Sequence, residues 1–130
     1  MSFSYTIKNN LNLVLVEVEG EMNYMQEVAA FSSVLADNRV KKNVRILVDR
    51  TKSPSMANYQ NINQFIEMAT KYLPRIGRPK IALVVADEVE YGMTRMLDLH
   101  HHISDSHDFR VFYELGHAFE WLGINNSEIR

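Results

Sequence analysis

The sequence predicts an α/β domain on a mixed, mostly parallel sheet of about five strands, in the order β-β-α-β-α-β-α-β-α, with helices flanking the sheet. Three observations carry that prediction. The chain opens with two alternating apolar/polar segments on either side of a polar KNN turn. Segments with apolar residues at helical spacing then recur, and between them stand short unbroken apolar runs, ILV and IALVV, each leading to an acid. Strands that alternate with helices run parallel through crossovers, while the opening hairpin adds an antiparallel member.

In SYTIKNNLNLVLVEVEG, Tyr5 and Ile7 are expected to pair with a second strand whose buried side carries Leu11, Leu13, Leu15 and Val18. Asn9 and Asn10 supply the turn, since asparagine tolerates a left-handed backbone, and Gly20 ends the strand. From Met22 to Ala36, Tyr24, Val28, Phe31 and Leu35 fall on one stripe of a helix that should lie on the sheet. NVRILVDR reads as a strand covered on both faces. After the bend TKSPS, the residues Tyr59, Ile62, Ile66, Ala69 and Leu73 keep helical phase until Pro74.

PKIALVVAD repeats the central-strand pattern and ends at Asp87. The next helix carries Met93, Met96, Leu97, His100 and either Ile103 or Ser104 along one side. FRVFYE is a short last strand, and LGHAFEWLG a last helix with Leu115, Ala118, Phe119 and Leu122 inward. No repeat, low-complexity segment or linker divides the chain, so residues 1–130 are expected to form one domain. A domain of that length buries about two-thirds of its unfolded surface.

Composition excludes several classes of function. With 46% hydrophobic and 23% charged residues the chain is no disordered tail. A formal charge of −2 gives no general attraction to nucleic acid or anionic lipid. The absence of cysteine removes disulfides, thiolate metal sites and thiol catalysis. The amino end MSFSYTIKNN carries neither a basic leader nor a long apolar run, and no apolar stretch is long enough to span a bilayer. A cytoplasmic protein without integral membrane association is expected.

Charge is distributed by architecture. Arg39, Lys41, Lys42 and Arg45, and again Lys71, Arg75, Arg78 and Lys80, stand where a helix gives way to a parallel strand. The acids Asp49, Asp87, Glu88, Glu90 and Glu114 gather at the opposite ends of the strands. Cations suit helix carboxyl ends and anions amino ends, each by about 0.3–1 kcal/mol, which explains both clusters without a ligand. The sharper alternative is a basic docking patch for an anionic ligand or protein surface. A nucleic-acid platform is not expected, because aromatics are not interleaved with the bases.

Ligands of open α/β sheets bind beyond the strand carboxyl ends. Here that edge offers Asp49, Arg50, Thr51, Asp87 and Tyr91 as ligand-binding candidates. Two carboxylates can hold Mg²⁺ or act as acid and base in a metal-assisted hydrolase. No glycine-rich phosphate loop and no Gly-x-Ser-x-Gly elbow accompanies them, however, and an acid at a strand end serves equally to cap the following helix. No catalytic residue is assigned.

LDLHHHISDSH places four of the five histidines in eight positions. Three consecutive helical residues project about 100° apart, so the triplet does not converge on one ion. A metal would need Asp98 with His101 or His102, and His107 returning from the loop. The reading adopted is structural. His100 falls in phase with the inward methionines, His101 and His102 suit the last helical turn, and SDSHD has the composition of a solvated loop. Neither a metal nor a cofactor is expected.

Taken together, LNLVLVEVEGEM, ILVD, RPKIALVVAD, GMTRM and FRVFYELGHAFEWLG resemble the SpoIIAA-like domain family of the STAS/SEC14-like group, over nearly the whole chain. The most telling part is the ending, with Val111, Phe112, Ala118 and the Trp121-Leu122 pair, which reads as a packing signature. The resemblance implies a mixed-sheet bacterial cytosolic domain. The anti-sigma-factor antagonists of the wider group carry a phosphorylated serine at the start of the helix after the third strand. Ser53 and Ser55 lie near that place here, although the antagonists' Asp-Ser-Ser type of signature is absent and Pro54 interrupts the run. On the physical reading Ser55 is a helix N-cap. The SEC14 side implies lipid binding, for which the chain lacks the enclosing helices.

The expected function is a non-enzymatic binding or regulatory domain acting through protein contacts, as a homodimer or with another protein. The alternative is a small-ligand or lipid-headgroup binder at the strand-end crevice or beside the helix of Tyr91 to Ile103, where Met93 and Met96 offer adaptable apolar contact.

Overall fold

The computed structural model describes residues 2–20, 24–53, 67–68, 70–86 and 108–125. Its strands are β1 (Ser2–Lys8), β2 (Leu13–Glu19), β3 (Arg45–Lys52), β4 (Lys80–Val84) and β5 (Asp108–Phe112). They form one sheet in the order β1-β2-β3-β4-β5. The β1–β2 pair is antiparallel and the three remaining pairs are parallel. The helices among the described residues are α1 (Tyr24–Ala36), the single turn α2 (Leu73–Ile76) and α3 (Leu115–Leu122). The predicted mixed, mostly parallel sheet is therefore the one observed.

Alternation along each strand sorts the side chains to two faces. Val14, Val16, Val18, Ile46, Val48, Ile81, Leu83 and Val111 form one core with Phe31, Val34 and Leu35 of α1. The intervening residues Leu13, Leu47, Ala82 and Val84 form the second with Ala118, Phe119 and Leu122 of α3. Phe3 extends the first core by an edge-on contact with Phe31, ring centres 5.0 Å apart. Met68 joins this core too, so the end of the segment predicted to be helical from Tyr59 to Leu73 packs on the α1 face; residues 54–66 and 69 lie outside the described residues.

Three expectations require correction. The buried side of β2 is not Leu11, Leu13 and Leu15 with Val18, since the strand is covered on both faces and Val18 faces opposite to Leu13. One helical layer on each side makes both parities apolar. The left-handed residue of the β1–β2 turn is Asn12, with φ 49°, while Asn9 and Asn10 form a 3-10 turn before it. Leu115 is 39% exposed rather than inward, because it starts α3 before the helix has settled on the sheet.

Gly20 ends β2 as expected, at φ 74°, and its N–H donates to the carbonyl of Lys52 at 2.9 Å. That bond ties the carboxyl ends of β2 and β3 together.

Candidate functional site

At the carboxyl ends of the strands, alternation divides the predicted ligand residues. Arg50 turns to the α1 face and Asp49 to the α3 face. Arg50 reaches Glu27, one turn into α1, and the two form an ion pair with side chains only 4% and 6% exposed. The same guanidinium donates to Ser53 Oγ at 3.1 Å, and Ser53 Oγ donates to the Gly20 carbonyl at 2.8 Å. Ser53 is itself buried. A charge taken out of water needs such partners, because the low local dielectric makes an uncompensated ion costly. Arg50 and Ser53 thus clasp β2, β3 and α1 together.

Asp49 stays half-buried and accepts from the Thr51 N–H at 2.9 Å and the Thr51 hydroxyl at 2.7 Å. Beside it a shallow cleft of about 50 Å³ is lined by Glu17, Val18, Glu19, Asp49 and Lys52. Glu17 is the register partner of Asp49, so two carboxylates stand side by side on neighbouring strands, and Lys52 reaches Glu19 at 3.5 Å. The structure brings Asp49 and Thr51 together on one face, and Arg50 and Ser53 on the other. Ser55, Asp87, Tyr91, Asp98, His101, His102 and His107 lie outside the described residues. Among the described residues no group of three or more histidines and acids is arranged to hold a metal ion.

The opposite end of the sheet is basic, and several of its cations satisfy helix-end carbonyls. Arg75 donates to the carbonyls of Leu35, Asp37 and Val40, where α1 ends. Arg45 donates to Leu11, Leu122 and Gly123. Lys80 donates to the Trp121 carbonyl at 2.6 Å and lies 4.4 Å from the centre of the Trp121 ring. The orphan carbonyls of a helix end and its negative dipole account for these placements. Next to them Asp37 accepts from Arg39 at 2.7 and 3.0 Å and from the Tyr5 hydroxyl at 3.0 Å. The Arg39 hydrogen bonds hold the Asp37 carboxyl far below the usual carboxylate range. Burial and then the neighbouring Asp37 push the Tyr5 phenol up.

A third feature lies along β5. Arg110, Phe112, Tyr113, His117, Glu120 and Trp121 line an open groove on the α3 side of the sheet. Phe112 and Trp121 pack at 5.7 Å between ring centres, and the Arg110 guanidinium lies 6.0 Å over Phe112. Tyr113 is 40% exposed, and His117 meets Glu114 at 3.1 Å. Among the described residues β5 pairs only with β4, so this groove follows the edge of the sheet.

Sequence reasoning missed Glu27 and this groove. Glu27 carried a signal, since it falls between Tyr24 and Phe31 in phase with the inward stripe of α1, where an acid needs a partner. The groove's signal was an aromatic surplus in FRVFYELGHAFEWLG. Val111, Ala118 and Phe119 enter the cores, whereas Phe112 and Trp121 remain half-buried.

These features define a mixed-sheet α/β domain with a helical layer on each face and an antiparallel strand at one edge. The particular architecture is the SpoIIAA-like fold. The chain is similar to the crystal structure of an uncharacterized protein of the DUF3478 family with a SpoIIAA-like fold from Shewanella loihica PV-4, at a TM-score of 0.54 and 16% identity, covering 93% of this chain and 92% of that one. No protein-family model matches the sequence, and no curated protein does. No helix among the described residues is long and apolar enough to cross a membrane.

Proposed function

We propose that this chain is a non-enzymatic binding domain of the STAS type, acting through protein contacts at the β5 edge. The observation that carries the reading is the contrast between the carboxyl end of β3 and the groove along β5. Arg50 and Ser53 are buried in bonds that hold the fold together, and Asp49 is bonded to Thr51, whereas Arg110, Phe112, Tyr113 and Trp121 border an open groove. Arg, Tyr and Trp are the residue types that dominate binding energy at protein interfaces, because they bury large areas and keep a polar handle. The SpoIIAA-like fold supports a regulatory role of this kind.

The partner is a protein, a second copy of the chain being the simplest case. A photo-reactive phenylalanine analogue at position 113, expressed in the native host, is expected to give a discrete protein adduct that the same analogue at position 25 does not give. Native mass spectrometry of the protein from that host supplies the opposite result. A retained small molecule or lipid would overturn the reading in favour of a ligand-binding domain.

A further inference from the structure

We propose that the basic end of the sheet is a second docking surface, and that its occupant is an acidic protein segment rich in Asp and Glu side chains. The cations there fall into two sets. Arg45, Arg75 and Lys80 are engaged with helix-end carbonyls, and Arg39 with Asp37, so the helix dipoles and the orphan carbonyls are already answered. Lys41, Lys42 and Lys71 are exposed and have no side-chain partner among the described residues. Capping explains the first set and leaves the second without an internal task.

The backbone that presents Lys41 and Lys42 is clasped. Asn12 Nδ2 donates to the Lys42 carbonyl at 3.0 Å, and the Asn43 N–H donates to the Ile76 carbonyl at 2.8 Å. Asn43 Oδ1 accepts from the Arg78 N–H at 3.1 Å. The loop carrying Lys41 and Lys42 is therefore fixed to the loop beyond α2, which lowers the ordering cost of binding. Charge complementarity selects the occupant. Among the described residues the acids toward this end are Asp37, already held by Arg39, Asp108, whose strand starts beside Lys80, Glu67, four residues before Lys71, and Glu120 in the last turn of α3, fewer than the eight cations Arg39, Lys41, Lys42, Arg45, Lys71, Arg75, Arg78 and Lys80.

A bilayer or a duplex fits less well. The exposed large apolar residues Met25, Tyr113 and Leu115 stand toward the other end of the sheet, so among the described residues this surface offers no exposed apolar wedge. Its tyrosines Tyr5 and Tyr72 are bonded to Asp37 and Ser32, and the Trp121 ring is covered by Lys80 and packed on Phe112, so no row of aromatics is presented to bases among the described residues.

The inference rests on the protein-contact reading, and its test separates the two. Fluorescence anisotropy with a labelled oligoglutamate peptide is expected to show binding that weakens with salt. The triple variant Lys41→Glu, Lys42→Glu, Lys71→Glu should lower affinity about tenfold or more, the glutamine triple variant less, and Lys52→Glu at the other end by less than about twofold. Absence of peptide binding, or an equal loss with Lys52→Glu, would overturn the basic end as the surface and leave the groove reading standing. Tighter binding to phosphatidylserine vesicles or duplex DNA than to the peptide would overturn the protein-contact reading together with it.

Discussion

Arg50 near the end of β3 and Glu27 in α1 form an ion pair whose side chains are 4% and 6% exposed, joining residues that are 23 positions apart. Removing one member strands the other as a buried charge. Glu27→Ala should cost about 3–5 kcal/mol, whereas the apolar pair Glu27→Leu with Arg50→Met should recover most of that loss. Urea midpoints of the single and double variants check this. Equal destabilisation in both would show that shape rather than charge is at stake.

Asp37 makes stability depend on pH in a known direction. Its carboxyl is depressed by Arg39, so its contribution is complete above the ordinary carboxylate value of about 3.9 and is lost as pH falls below that value. The melting temperatures of the wild type and Asp37→Asn should differ at neutral pH and converge in acid. Tyr5 is raised, so its contribution is complete below the ordinary phenol value of about 10 and fades as pH rises beyond it. Tyr5→Phe should therefore narrow its gap to the wild type in strong base.

Lys80 covers the only tryptophan in the chain, 4.4 Å from the centre of the ring. Lys80→Ala removes a cation–π contact and the bond to the Trp121 carbonyl, for a loss of about 1–2 kcal/mol. Because no other tryptophan contributes, the emission should shift to the red as water reaches the ring. Unchanged emission would count against this contact.

Two leucines of α3 separate the expected packing from the observed one. Leu122 is 3% exposed and Leu115 39%. Leu122→Ala should cost about 2–5 kcal/mol by leaving a cavity against β4, and Leu115→Ala under about 1 kcal/mol. Thermal denaturation of the two variants distinguishes them.

Gly77 and Gly116 should respond with opposite sign. Gly77 sits at φ +70°, and a Cβ there would meet Asn43 Oδ1 at 2.9 Å, so Gly77→Ala should destabilise by about 1–2 kcal/mol or more. Gly116 lies in α3 with nothing within 4 Å of such a Cβ, so Gly116→Ala should stabilise by about 0.5 kcal/mol. Chemical denaturation measures both.

The strands and α1 were legible in the sequence because hydrophobic periodicity is a local property. Tyr5 and Ile7 on β1, the run Ile46–Val48 and the run Ile81–Val85 declare a hairpin and two central strands with no knowledge of their neighbours. The left-handed Asn12 was two or three positions from the asparagines expected, since an asparagine at any of these places can serve the turn. Asp49, Arg50, Thr51 and Ser53 could be named from the rule that ligands gather at strand carboxyl ends. Their partners could not be named.

By itself, then, the sequence determined a mixed α/β sheet, the order of its strands and the separation of basic from acidic strand ends, because period and chain order dictate all three. Tertiary structure alone decided that Arg50 meets Glu27, that Lys80 lies over Trp121, and that Phe112 with Trp121 shapes a groove while Leu115 turns outward. Each of those outcomes depends on how far a helix slides along the sheet and in which register the strands pair. No pattern confined to one segment encodes a meeting between side chains from different segments.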